Sequence, residues 1–137
     1  PPPEISLFNE KNNGLTVLNL IENKLLLSCH DVSDGGILCS LTEMCIAGMI
    51  GAKLKKPGSL INKYEYFFGE DQSRYLIEIK DKNKDEVTQI LTKNNVYFEI
   101  IGKTQKESLE LIKEFNIKLK DLTELNTSWF KNYFREN

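Results

Sequence analysis

His30-Asp31-Val32-Ser33-Asp34-Gly35-Gly36 stands where one apolar run ends in carboxylates and a glycine pair, immediately ahead of a second apolar run. Upstream, Leu25-Leu26-Leu27 reads as a short buried strand, and downstream, Ile37 to Ala47 carries apolar residues on a wide helical face. The stretch therefore predicts a strand, a sharp turn and a helix N-terminus in succession. Gly35 and Gly36 let the backbone turn where a Cβ would clash. Asp34 is placed as the N-cap, its carboxylate facing the free N–H groups and the positive end of the helix dipole.

Two readings of this turn stand side by side. In the structural one it is a capped connection between strand and helix. In the functional one the unpaired N–H groups of the helix start bind a phosphate. Asp31 and Asp34 would repel a bare phosphate but suit Mg²⁺, which takes oxygen ligands and often bridges to substrate phosphates.

The rest of the chain narrows the classes. With 137 residues it has the size of one domain, residues 1–137, and is short for a complete two-substrate enzyme. Its net charge of −2, with lysines scattered among carboxylates, provides no basic stripe, so nucleic acid is not expected as a partner. No apolar run approaches ~18 residues and no signal peptide opens the chain, so no membrane and a cytoplasmic location are expected. Cys29, Cys39 and Cys45 lack metal or disulfide spacing and are expected as buried, reduced thiols.

Pro1-Pro2-Pro3 cannot start a helix interior or central strand, so residues 1–8 read as an extended, linker-like lead-in to a domain of something longer. Asn9 to Asn23 presents Leu15, Leu18, Leu20 and Ile21 as a helical stripe, weakened early by Gly14. A second strand is expected at Ile50–Leu54, a loop at Lys55–Asn62 and a short helix at Ser59–Phe68. The polar run Gly69-Glu70-Asp71-Gln72-Ser73-Arg74 leads into a strand at Tyr75–Lys80, followed by an amphipathic helix from Asn83 to Asn94. Val96–Ile101 reads as a third apolar strand, Ser108–Ile112 with Phe115–Leu119 as a hairpin, and Leu119–Phe134 as a closing helix. Phe67-Phe68 and Trp129-Phe130 are expected in the core. Alternating strands and helices point to a layered α/β arrangement. His30, the single histidine, has no partner at a catalytic spacing, and the sequence marks it as a buried side chain satisfied by backbone groups.

The 30–36 stretch, followed by Leu41-Thr42-Glu43-Met44 and Ala47-Gly48, resembles the H-D-x-S-D-G-G-L…A-E-M…A-G signature of phosphoribosylformylglycinamidine synthases. Phe67-Phe68-Gly69-Glu70-Asp71-Gln72-Ser73-Arg74-Tyr75 resembles that family's L-F-G-E-x-x-x-R-[FY] run, at a similar distance. Pro1 to Gly14, Ile100-Ile101-Gly102-Lys103 and Leu122 to Phe134 are similar to its domain entry, a late strand end and the closing helix of the small, separate-glutaminase form. The resemblance implies an α+β fold, a mixed sheet flanked by helices, of the type found at the C-terminus of aminoimidazole ribonucleotide synthetase. It also implies the last domain of an ATP-dependent ligase that turns an amide into an amidine. ATP and Mg²⁺ would serve the full enzyme, and the partners would be its N-terminal remainder, a glutaminase subunit and a small accessory subunit. The family's catalytic histidine lies outside this chain, so no catalytic residue and no resident metal carry over.

Ligand-binding candidates are His30, Asp31, Ser33, Asp34, Gly35 and Gly36 on the first motif, and Glu70, Gln72 and Arg74 on the second. Asp71 stands where the family's related run has serine, which disfavours phosphate and favours a metal or structural role. Asp31, Asp34 and Glu70 are expected to converge at the carboxyl end of the sheet. Arg74 is expected to neutralise the Glu70/Asp71 pair and, with N-cap hydrogen bonds, to satisfy that cluster. A non-catalytic interaction module and a domain of a related ATP-dependent synthetase remain as alternatives.

Overall fold

A computed structural model describes residues 5–55 and 62–135. It divides into two compact units, the first built from residues 5–41 and 64–100, the second from residues 42–55, 62–63 and 101–135.

The first unit opens with helix α1, Leu7–Glu22, whose N-cap Ser6 accepts from the Asn9 amide at 3.3 Å. The linker-like reading of residues 1–8 thus fails at Leu7 and Phe8, which are helical; the three prolines lie outside the described residues. Strand β1, Leu26–Asp31, pairs antiparallel with β3, Tyr75–Ile79, in the register Asp31↔Tyr75, His30↔Leu76 and Cys29↔Ile77. A bulge interrupts the register between Leu26 and Ser28, and the residue it ejects, Leu27, is 52% exposed. The expected buried Leu25–Leu27 strand is therefore corrected: the strand starts at Leu26, and Leu25 packs just ahead of it.

Helix α2, Gly36–Gly48, follows the turn. Helix α3, Lys63–Phe68, precedes β3, and a 3₁₀ turn at Asp81–Asn83 leads into helix α4, Lys84–Lys93. Leu20, Leu25, Val87 and Leu91 form the buried cluster of this unit, with Leu26, Ile77, Ile79, Ile90 and Val96 packed on it. On α1 the buried face is Thr16, Val17 and Leu20, whereas Leu15, Leu18 and Ile21 of the expected stripe are about half exposed. The Thr16 hydroxyl donates to the Asn12 carbonyl at 2.8 Å, which satisfies it in that apolar setting.

In the second unit, β2, Gly51–Leu54, lies at the middle of a four-stranded sheet ordered β4-β2-β5-β6, with β4 Gly102–Gln105, β5 Ser108–Leu111 and β6 Phe115–Lys118. The β2–β5 pair is parallel and the other two are antiparallel, so the sheet is mixed. Ala52 and Leu54 pair with Leu109 and Leu111, and all four are buried, the two-residue period of a half-covered sheet. Helix α5, Leu119–Arg135, starts at the end of β6 with its first amide bonded to the Glu107 carbonyl at 2.9 Å.

The α+β architecture with mixed pairing and flanking helices agrees with the sequence reading, and several local expectations do not. Val96–Ile101 is not a strand; its Ile101 carbonyl accepts from the Lys55 amide at 2.8 Å, and ladder pairing with β2 begins at Gly102. Trp129 and Phe130 are 60% and 56% exposed, so they are not core, and of the Phe67-Phe68 pair only Phe67 is buried. Cys45 is buried, Cys29 partly so and Cys39 exposed; all three are free thiols. Of the expected 55–62 loop, residues 56–61 lie outside the described residues, as do residues 59–61 of the expected 59–68 helix.

Candidate functional site

Because β1 and β3 are antiparallel, the end of one faces the start of the other, and Asp31 opposite Tyr75 puts the 31–36 turn beside the 69–74 run. The Val32 amide continues the ladder by donating to the Arg74 carbonyl at 2.9 Å. The two motifs of the sequence are thus one structural site, joined by strand pairing.

The turn closes through the Gly36 amide to the Ser33 carbonyl at 3.0 Å, with φ of +75° at Gly35 and +68° at Gly36. A Cβ on Gly36 would stand 2.6 Å from the Phe67 carbonyl oxygen and 2.8 Å from that of Gly69. One on Gly35 would stand 2.3 Å from Cys39 Sγ. Left-handed backbone and close approach together restrict both positions to glycine. Glu70 Oε1 accepts from the Gly35 amide at 2.8 Å, so the second motif supplies a carboxylate to the turn of the first.

Arg74 takes a different role from the one expected. Its Nη2 lies 3.4 Å from Asp71 Oδ2, and its other contacts are backbone carbonyls: Nε to Asp71 at 3.3 Å, Nη1 to Tyr66 at 3.5 Å, and Nη2 to Gly69. It caps the C-terminal end of α3, where carbonyls lack helical partners. The carboxylate it pairs is that of Asp71, the family-divergent position, and Glu70 turns to Gly35 instead. The expected convergence of Asp31, Asp34 and Glu70 is likewise corrected: among the described residues no group of three or more His, Cys, Asp or Glu side chains is placed to hold a metal ion.

His30 is partly buried, and its Nδ1 lies 2.6 Å from the Asp31 carbonyl oxygen and 3.6 Å from Asp31 Oδ1. Ser33 and Asp34 are exposed on the turn. Asp31, Gln72 and Arg74 line an open polar concavity of about 320 Å³ together with Glu10, Val32, Ser73 and Tyr75. Sequence reasoning missed Glu10 and Ser73. The Ser73 hydroxyl donates to Glu10 Oε2 at 2.5 Å, and Asn13 Nδ2 donates to the Ser73 carbonyl at 2.9 Å, which fastens the 69–74 run to α1. Ser73 has φ of +64°, which no residue-type signal announces. Burial first, and then the charges of Glu10, Asp31 and Cys29, push the Tyr75 phenol above its ordinary value.

Residues 2–113 match the family described as AIR synthase related protein, C-terminal domain, and the chain belongs to that family. It is 49% identical over 133 residues to phosphoribosylformylglycinamidine synthase subunit PurL of Pelagibacter ubique (strain HTCC1062), covering 97% of this chain and 18% of that protein. To the subunit of the same name from Rhodopseudomonas palustris (strain BisB18) it is 39% identical over 135 residues, covering 96% of this chain and 18% of that protein. The chain thus spans about a fifth of the length of these relatives. Among solved structures, T. maritima PurL complexed with FGAR shares the fold, with a TM-score of 0.75 at 17% identity over 87% of this chain and 21% of that one. The same T. maritima protein is known complexed with ATP and in a structure named PurLQS. Among the described residues no helix is long and apolar enough to cross a membrane.

Proposed function

We propose that this chain is the C-terminal AIR-synthase-related domain of a PurL-type phosphoribosylformylglycinamidine synthase, an ATP-dependent ligase of purine biosynthesis that converts an amide into an amidine. The observation that carries the reading is the 49% identity over 97% of the chain, which includes both interlocked motifs. One family match spans both compact units, which supports residues 1–137 as one domain of a longer protein.

In this reading the domain supplies structure and not the reacting groups. The turn of His30, Asp31, Ser33, Asp34, Gly35 and Gly36 is a junction held by Glu70, while Asp31, Gln72 and Arg74 offer polar contacts at an auxiliary surface. ATP with Mg²⁺ is held by the remainder of the enzyme, and the glutaminase and small accessory subunits complete a cytoplasmic complex. The PurLQS name of a fold relative supports such subunits.

A graft tests this. Replacing the matching segment of the P. ubique protein with this chain should preserve amidine formation from formylglycinamide ribonucleotide, ATP and ammonia. The isolated chain should form none. A folded but inactive graft, or an active isolated chain, would overturn the assignment.

A further inference from the structure

The C-terminal helix α5 leaves one face unpartnered. Leu125 is 70% exposed, and Trp129, Phe130, Tyr133 and Phe134 are each more than half exposed. Their rings touch one another, Trp129 to Phe130 at 5.7 Å, Phe130 to Phe134 at 4.6 Å and Tyr133 to Phe134 at 5.3 Å between centroids, so the apolar surface is continuous. Helix α5 is anchored at its first turn, where Leu119 is buried and the Thr123 hydroxyl bonds back to the Leu119 carbonyl. Four aromatic rings within six residues is a concentration that soluble surfaces rarely leave uncovered, and aromatic side chains of this kind are the usual anchors of interfaces.

We infer that the aromatic face of α5 docks on the part of a PurL-type polypeptide that lies outside these 137 residues. The inference rests on the PurL-type reading above. Two observations select this occupant. The family match ends at residue 113, ahead of α5, so the helix is an addition to the shared domain and not part of its common core. The similarity to the P. ubique subunit nevertheless covers 97% of the chain and therefore runs through α5, while more than four-fifths of that protein lies beyond the matched region. The helix thus travels with the long polypeptide, and that polypeptide has ample surface to cover it.

Hydroxyl-radical labelling read by mass spectrometry compares the α5 peptide in the isolated chain and in the P. ubique graft, with a dosimeter peptide correcting for radical dose. Docking requires labelling of Trp129, Phe130 and Tyr133 to fall several-fold in the graft, and Trp129→Ser with Phe130→Ser to lower the melting temperature of the graft but not of the isolated chain. Equal labelling in both overturns the inference, as does a graft that does not fold. Labelling that falls with concentration in the isolated chain, accompanied by dimer formation, overturns it in favour of a second copy as occupant. Amidine formation by the graft is read separately. An active graft with unprotected rings rejects the docking alone, and an inactive graft with protected rings rejects the assigned reaction alone.

Discussion

Glu70 reaches back across 35 residues to accept the Gly35 amide at 2.8 Å, adding a side-chain bond to the strand pairing that joins the two motifs. Charge-assisted bonds to backbone amides contribute more than neutral ones, and solvent exposure of Glu70 reduces that advantage. Glu70→Ala is expected to cost about 1 kcal/mol, which a thermal melt reads as a fall of about 3–6 °C. Glu70→Gln keeps an oxygen acceptor and should lose less than half of that.

Gly36 and Gly48, the two ends of α2, should respond oppositely to alanine. At Gly36 the new Cβ meets backbone oxygens at 2.6 and 2.8 Å and the backbone is left-handed, so Gly36→Ala should cost at least about 2 kcal/mol. At Gly48 a Cβ meets nothing within 4 Å, so Gly48→Ala should be neutral or stabilising by up to about 1 kcal/mol. Urea denaturation midpoints of the two variants check both signs.

Arg74→Lys should not substitute for arginine. A lysine ammonium can still approach Asp71 but has no planar fork to span the Tyr66 and Gly69 carbonyls together. The expected result is faster amide exchange across residues 65–69 in the lysine variant, with exchange in α4 unchanged.

Glu99 accepts hydrogen bonds from Tyr66 Oη at 2.6 Å and from Tyr97, and these bonds, Tyr66 first, hold its carboxyl below the ordinary value of 4.5. A carboxyl depressed in the folded state contributes stability that is present above its unfolded pKa and lost as pH falls through the folded one. The stability difference between the parent chain and Glu99→Gln should therefore be steady near neutrality and shrink below about pH 4.5. Tyr66→Phe removes the larger cause and should move the Glu99 titration upward, readable by carboxyl NMR.

Local order was legible where the chain states its own punctuation. The apolar run Leu25–Leu27, the glycine pair and the apolar face after it announced a strand, the turn and α2, though not the strand's true bounds, since φ > 0 and helical periodicity are properties of residue types and spacing. The 108–118 hairpin and α4 were legible for the same reason, and the two family-like motifs marked the candidate site.

Tertiary structure decided the rest, because partners are not written in a residue's neighbours. Val96–Ile101 has the composition of a strand, but a strand exists only where another chain segment offers N–H and C=O groups, and β2 offers them from Gly102 onward. The aromatic residues of α5 are apolar in sequence whether buried or not, and only the fold leaves them exposed. Arg74 and Glu70 were both named by the sequence, yet the partner each would take was decided only in the folded chain. The path of the 66–74 segment sets Arg74 against the end of α3, and the pairing of β1 with β3 brings Glu70 to Gly35: side-chain chemistry determined what could bind there, and the geometry of the folded segments determined what does.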